Sequence, residues 1–208
     1  QSFLYLSWES DGMAPLTYEG RVMPTEYAMI KASVQPLIYS KGAYLNSDSW
    51  NYQWFVNNTL IAQGIGLKEA RFIAKDYTKT SYEVTVRVYS SLSETPFIKT
   101  TTIKLVRPLV YLKPINEKSI TLNAYSTTED LVELEAVPLF LGNYGADQIN
   151  YRWSINGERI PDFDNQKSII VPYIGEGESE SVNIKVVIED QRDVILRAES
   201  ALNINFVK

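Results

Sequence analysis

A phrase with a tryptophan at its centre occurs twice in the chain, as "NYQWFVNNTL" at residues 51–60 and as "NYRWSINGER" at 150–159. No other feature limits the fold as strongly, because a segment written twice implies a folding unit built twice. Trp54 falls on Trp153 at an offset of 99, and Tyr52 on Tyr151, Val56 on Ile155 and Asn57 on Asn156 keep it. Downstream, "SYEVTVRVYS" at 81–90 matches "SVNIKVVIED" at 181–190, which sets Val84, Val86 and Val88 on Ile184, Val186 and Ile188 at an offset of 100. Ile103 and Leu105 are then matched with Leu202 and Ile204, again at 99. Landmarks in one order divide the 208 residues into two copies, 1–107 and 108–208.

Within each copy the apolar residues recur with period two. Ala28, Ile30, Ala32 and Val34 share a face, as do Tyr82, Val84, Val86 and Val88, while Glu83, Thr85 and Arg87 face water. In the second copy Val132, Leu134 and Ala136 alternate with Glu133 and Glu135, and Leu202, Ile204 and Phe206 with Asn203 and Asn205. One apolar and one polar face is the mark of a half-buried antiparallel strand. Turn residues ("NNT", "NGE", "GNYGAD", "GEGES") separate the runs. "GLKEARFIAKDY" could make one helical turn, but Phe72 and Ala74 also alternate as in a strand. The expected fold is all-β: two tandem immunoglobulin-like antiparallel β-sandwich domains end to end, with Trp54, Trp153, Tyr52 and Tyr151 as core. The junction "KLVRPLVYLKP" at 104–114 has two prolines and no Gly or Ser. It reads as short and stiff rather than as a flexible linker.

The segment "YRWSINGERI" resembles the W-x-x-N-G stretch between strands C and C′ of bacterial immunoglobulin-like domains, and "SYEVTVRV" looks like the penultimate strand of polycystic-kidney-disease (PKD) and related surface domains. The opening "FLYLSWESDG" with "PLTYEG" is similar to exported proteins of small-genome candidate-phylum bacteria. The chain departs from antibody domains in lacking their cysteine pair, and from PKD domains in reading "WFVNNT" and "WSINGE" where those have W-x-F-G-D-G. The resemblance implies surface-displayed sandwich modules and transfers no catalytic residue.

Composition removes most chemistry. There is no His and no Cys. That excludes the usual general base near neutral pH, Ser-His-Asp and Cys-His catalysis, and most zinc and transition-metal sites. It also excludes disulfides. The charge is 20 basic against 25 acidic residues, a net of −5, with no basic run. A nucleic-acid partner would need a basic stripe. No apolar run approaches the length that spans a membrane. Paired carboxylates such as Glu133 and Glu135 point to solvent on a strand, so no enzyme and no cofactor are expected.

The candidate ligand-binding residues are Tyr39, Tyr44 and Trp50, in the loop "IYSKGAYLNSDSW" at 38–50. Aromatic area set among Ser, Asn and Asp suits a sugar or peptide. The alternative is that Trp50 and Tyr44 cap the core. Asp162, Asp164, Glu176, Glu178 and Glu180 could be calcium ligands, but read better as solvated hairpin tips beside a basic junction. Trp8, Glu9, Asp11 and Tyr18 could line a pocket, or belong to an extra strand covering a sheet edge. A Lys–Asn crosslink would need Lys31, Lys104 or Lys185 in the core, and all three fall on outward positions. "NNT" at 57–59 matches a glycosylation sequon and equally a tight turn.

The expected function is a non-catalytic interaction or spacer module of a bacterium, extracellular or in the cell envelope, as in an adhesin, a pilus-associated protein or a surface-layer component. Its partner would be a protein or glycan on a cell surface. The other reading is a pair of carbohydrate-binding accessory domains of a larger secreted enzyme. The chain starts at Gln1 rather than Met, so a signal or anchor would lie outside this segment.

Overall fold

The structure, a computed structural model, describes residues 2–15, 18–40, 42–75, 78–90, 93–117, 123–141, 148–175, 179–191 and 196–207. The chain forms two compact units. The first comprises Gln1–Gly12 and Gly20–Val106, and the second Met13–Glu19 and Arg107–Lys208.

The first unit has eight strands: β1 (Ser2–Ser10), β2 (Met29–Ser40), β3 (Ala43–Tyr44), β4 (Asn51–Val56), β5 (Thr59–Ile65), β6 (Glu69–Ile73), β7 (Ser81–Tyr89) and β8 (Phe97–Lys104). One sheet joins β2 to β1, β3 and β6, and the other runs β5-β4-β7-β8, with every pairing antiparallel. The stretch with both helical and strand character resolves as β6, pairing Ala70 with Ala32 and Phe72 with Ile30. The two inner faces enclose a core of Ile30, Ala32 and Val34 from β2, Tyr52, Trp54 and Val56 from β4, and Val84, Val86 and Val88 from β7.

The second unit repeats the plan with β9 (Leu109–Pro114), β10 (Ala124–Thr127), β11 (Leu131–Leu139), β12 (Ile149–Ile155), β13 (Glu158–Arg159), β14 (Ser168–Pro172), β15 (Ser179–Asp190) and β16 (Arg197–Val207). Its sheets are β14-β11-β9 and β10-β16-β15-β12-β13. The pairing of β10 with β16 is parallel, an addition to the antiparallel plan. Trp153, Tyr151, Leu134, Ile184, Val186, Ile188 and Phe206 are buried between the sheets. A 3-10 turn spans Pro161–Phe163.

The duplicated phrase builds the same devices in both units. The indole N–H of Trp54 donates to the carbonyl of Leu67, and that of Trp153 to the carbonyl of Gln166, each over 2.8 Å. Asn57 and Asn58 turn β4 into β5 with φ of 48° and 66°, and Asn156 and Gly157 turn β12 into β13 at 49° and 85°. Positive φ at both central residues gives the hairpin whose twist matches its strands. The Asn57 Oδ1 accepts from the Glu83 N–H over 2.9 Å, and Asn156 does the same for Asn183 over 2.8 Å. The sequon asparagine is thus a structural part of the hairpin.

Register refines the repeat. Trp54 faces Val86 as Trp153 faces Val186, which confirms the offset of 100 on that strand. Tyr82 faces Ile103 while Val182 faces Ile204, so Ile103 corresponds to Ile204 at an offset of 101 rather than to Leu202 at 99. The sequence match slipped by two residues, a slip that keeps every side chain on its own face of a strand.

Candidate functional site

Strand β1 is apolar on both faces. Leu4 points into the core, while Phe3 and Tyr5 on the opposite face are 53% and 58% exposed. β1 pairs with β2 so that Phe3 faces Leu37 and Tyr5 faces Gln35. Two residues further along β2, Tyr39 shares that outer face and lies opposite Tyr44 on β3. Tyr39 and Tyr44 are 50% and 69% exposed, and their rings meet edge to face with centroids 5.3 Å apart. From Gln35 to Tyr39 the strip runs about 13 Å at the usual rise of about 3.3 Å per residue. The result is an open sheet face carrying Phe3, Tyr5, Tyr39 and Tyr44, with Leu37 between them.

The segment behind the strip is tied down. The Leu45 N–H donates to the Ile38 carbonyl and the Gly66 N–H to the Trp50 carbonyl, both over 2.9 Å. The Tyr52 hydroxyl donates to the Ser47 carbonyl over 3.0 Å. Lys68 Nζ lies 2.5 Å from the Asp48 carboxylate, and the Asp48 N–H donates to the Asn46 side chain. The Lys68 hydrogen bond, followed by that from Asn46, holds the Asp48 carboxyl below the usual aspartate range. Gly66 has φ of 67°, and a Cβ there would lie 2.7 Å from the Asp48 carbonyl oxygen, so only glycine fits. A strip fixed in this way loses little freedom on binding.

Of the three residues expected from the loop, Tyr39 and Tyr44 lie on this face. Trp50 does not: it is 6% exposed and stacks on Phe97 with rings 6.2 Å apart and 14° from parallel. Trp54, Trp153, Tyr52 and Tyr151 are all buried, as core residues are. The strip includes Phe3 and Tyr5, which the sequence reading passed over. Their signal was the alternation of "FLYLSW", which puts large apolar residues on both faces of a strand.

The other candidates resolve into structural parts. Trp8 lies on β1 under the Arg21 guanidinium, 4.6 Å from its ring, and Glu9 pairs with Lys31 at 2.6 Å. Asp11 accepts the Met29 N–H over 2.8 Å, and Tyr18 packs edge-on against Phe140. Glu9, Asp11, Lys31 and Arg71 line a hollow of about 210 Å³ that includes neither Trp8 nor Tyr18. Asp164 pairs with Arg159, and Glu180 accepts the N–H groups of Ile174 and Gly175. Glu176 and Glu178 lie outside the described residues. Among the described residues no group of three or more His, Cys, Asp or Glu is placed to hold a metal ion, and no helix is long and apolar enough to cross a membrane. Lys31 and Lys185 make ion pairs with Glu9 and Glu199, not crosslinks.

No known protein family matches the sequence, and no curated protein is significantly similar to it. Solved structures of similar fold include three N-terminal domains of the highly immunogenic outer capsid protein of bacteriophage RB49. That protein is 12% identical with a TM-score of 0.48, over 98% of this chain and 59% of the other. Fibronectin(III)-like modules of CbhA from Clostridium thermocellum are 14% identical with a TM-score of 0.31, over 97% of this chain and 94% of theirs. The chicken CNTN1 FN1-FN3 domains are 13% identical with a TM-score of 0.36, over 90% and 65%. The chain thus spans less than two thirds of the capsid fragment's length. The strand order itself places the chain in its class: two tandem immunoglobulin-like β-sandwiches.

Proposed function

We propose that the chain is a non-catalytic recognition module, displayed outside the cell or in its envelope, that contacts a protein or glycan through the open face of its first unit. The observation that carries this reading is the strip of Phe3, Tyr5, Tyr39 and Tyr44. Monomeric proteins seldom leave so many large aromatic side chains together in water, and such patches mark interaction sites. Tyrosine adds a hydroxyl to a flat apolar ring, the combination that stacks on a sugar and hydrogen-bonds its hydroxyls. The absence of His and Cys from the chain supports recognition over catalysis.

Labelled protein incubated with intact bacterial cells and with immobilised glycans tests the reading. Wild-type chain binds a member of the panel, and Tyr5→Ala with Tyr44→Ala abolishes that binding while circular dichroism stays unchanged. Binding that ignores both substitutions overturns it.

A further inference from the structure

The two units build one sheet twice, so each is a control for what the other's surface needs. The outward positions of β4, β5 and β7 hold Gln53, Leu60 and Thr85. By register, the same positions on β12, β13 and β15 hold Arg152, Arg159 and Lys185. The fold is satisfied by neutral residues at all three places. Arg197 at the start of β16 adds a fourth cation, opposite Glu189. These four side chains, between 41% and 59% exposed, come from four strands of one sheet. They line a groove of about 480 Å³ together with Ser154 and Val187, and no acidic residue lines it.

Carboxylates flank the groove and orient its cations. Glu189 pairs with Arg152 and lies 3.8 Å from Arg197 Nε, Glu199 lies 3.1 Å from Lys185 Nζ, and Asp164 lies 2.5 Å from Arg159. Lys185 holds the Glu199 carboxyl below the usual glutamate range. A guanidinium carries five donors in a fixed fork, more than one carboxylate takes up. Arg197 also lies 3.3 Å from Glu199, so the four cations share three carboxylates and the groove keeps a positive lining in a chain whose net charge is −5.

We propose that this groove binds an anionic polysaccharide, its sulfate or carboxylate groups seated on Arg152, Arg159, Lys185 and Arg197. A polymer with repeated anions suits cations spread over neighbouring strands: Arg152 and Lys185 sit diagonally across β12 and β15, roughly 7–8 Å apart, and Arg159 lies opposite Ser154, the residue that faces Lys185. An acidic peptide suits the groove less. Peptides commonly add to a long sheet edge or fill apolar pockets. Here the adjacent edge strand, β13, is two residues long, and Val187 is the one aliphatic lining residue. Sulfate and carboxylate ligands share the fork chemistry and are separated by the choice of probe.

The test is the intact chain on immobilised heparin, polygalacturonate, polyglutamate and neutral dextran, across a salt series. Binding is expected to heparin or polygalacturonate and not to dextran, and to weaken steeply with salt. The double variant Arg152→Gln, Lys185→Thr carries the residues of the first unit's sheet, which that sheet accommodates. It is expected to lose roughly tenfold or more in affinity and to show a shallower salt dependence. Arg197→Gln, on another strand, gives an independent loss. Lys104→Ala on β8 is expected to bind as wild type. Equal binding by the double variant, stronger binding to polyglutamate than to either polysaccharide, or no binding at low salt overturns the proposal.

Discussion

The indole N–H of Trp153 donates to the carbonyl oxygen of Gln166 over 2.8 Å, closing a thirteen-residue loop over the edge of the core. Trp54 and Leu67 make the same bond with the same separation. The indole therefore does two things: it fills the space between sheets, and its own N–H, buried with the ring, finds an acceptor. Trp153→Phe and Trp54→Phe keep an aromatic plug but lose the indole hydrogen bond and part of the buried ring. Each is expected to destabilise its unit by about 2 kcal/mol or more, read from denaturant unfolding.

The partner tyrosines have diverged, and they should respond differently. Tyr52 donates its hydroxyl to the Ser47 carbonyl, whereas the Tyr151 hydroxyl is buried with no hydrogen-bond partner among the described residues. Tyr52→Phe should cost about 1 kcal/mol, while Tyr151→Phe should be neutral or stabilising in thermal unfolding.

Alkaline pH gives a second readout of Tyr151. Burial first, and then the Glu135 carboxylate, push its phenol from an ordinary 10 up to about 12. A raised phenol pKa means the folded state resists ionisation. The contribution of this group is therefore whole below pH 10 and is lost as pH rises from 10 through 12. Stability in that window should fall less steeply in Tyr151→Phe than in the wild type, measured by denaturant titration at each pH.

Asn57 and Asn156 combine a left-handed backbone with an acceptor for the neighbouring strand. Alanine supplies neither, so Asn57→Ala and Asn156→Ala should each cost about 2 kcal/mol. Glycine relieves the backbone but not the lost acceptor, and should fall between alanine and wild type.

Gly66 links stability to recognition. Gly66→Ala drives a Cβ against the Asp48 carbonyl and so displaces the loop that ends β3. The expected result is a loss of at least about 1 kcal/mol in stability together with weaker ligand binding than wild type at temperatures where both stay folded.

Much of the architecture was legible because it depends on what repeats. Trp54 and Trp153, the period-two runs and the Asn-containing turns marked β4 and β12, the core faces and the two copies. The last strand was misaligned by two residues because the periodicity that reveals a strand also hides such a slip. The site was less legible. Tyr39 and Tyr44 stood out as aromatics in a polar loop, but Trp50 had the same signature and turns inward to Phe97. Local sequence does not say which way a loop ring faces. Phe3 and Tyr5 were hidden for the opposite reason: beside Leu4 and Leu6 they read as ordinary core. Only the pairing of β1 with β2 shows that their face is open. The cationic groove draws on four strands and needed their register before it could be seen.

The central claim is that the first unit recognises its partner through the β1-β2-β3 face. The most direct test is a two-dimensional NMR titration of the labelled chain with a partner selected by cell or glycan binding. The account predicts shifts concentrated at residues 3, 5, 35, 37, 39 and 44, with Trp50 and Trp54 little affected. Shifts gathered on the β5-β4-β7-β8 face, with the aromatic strip unmoved, would contradict it.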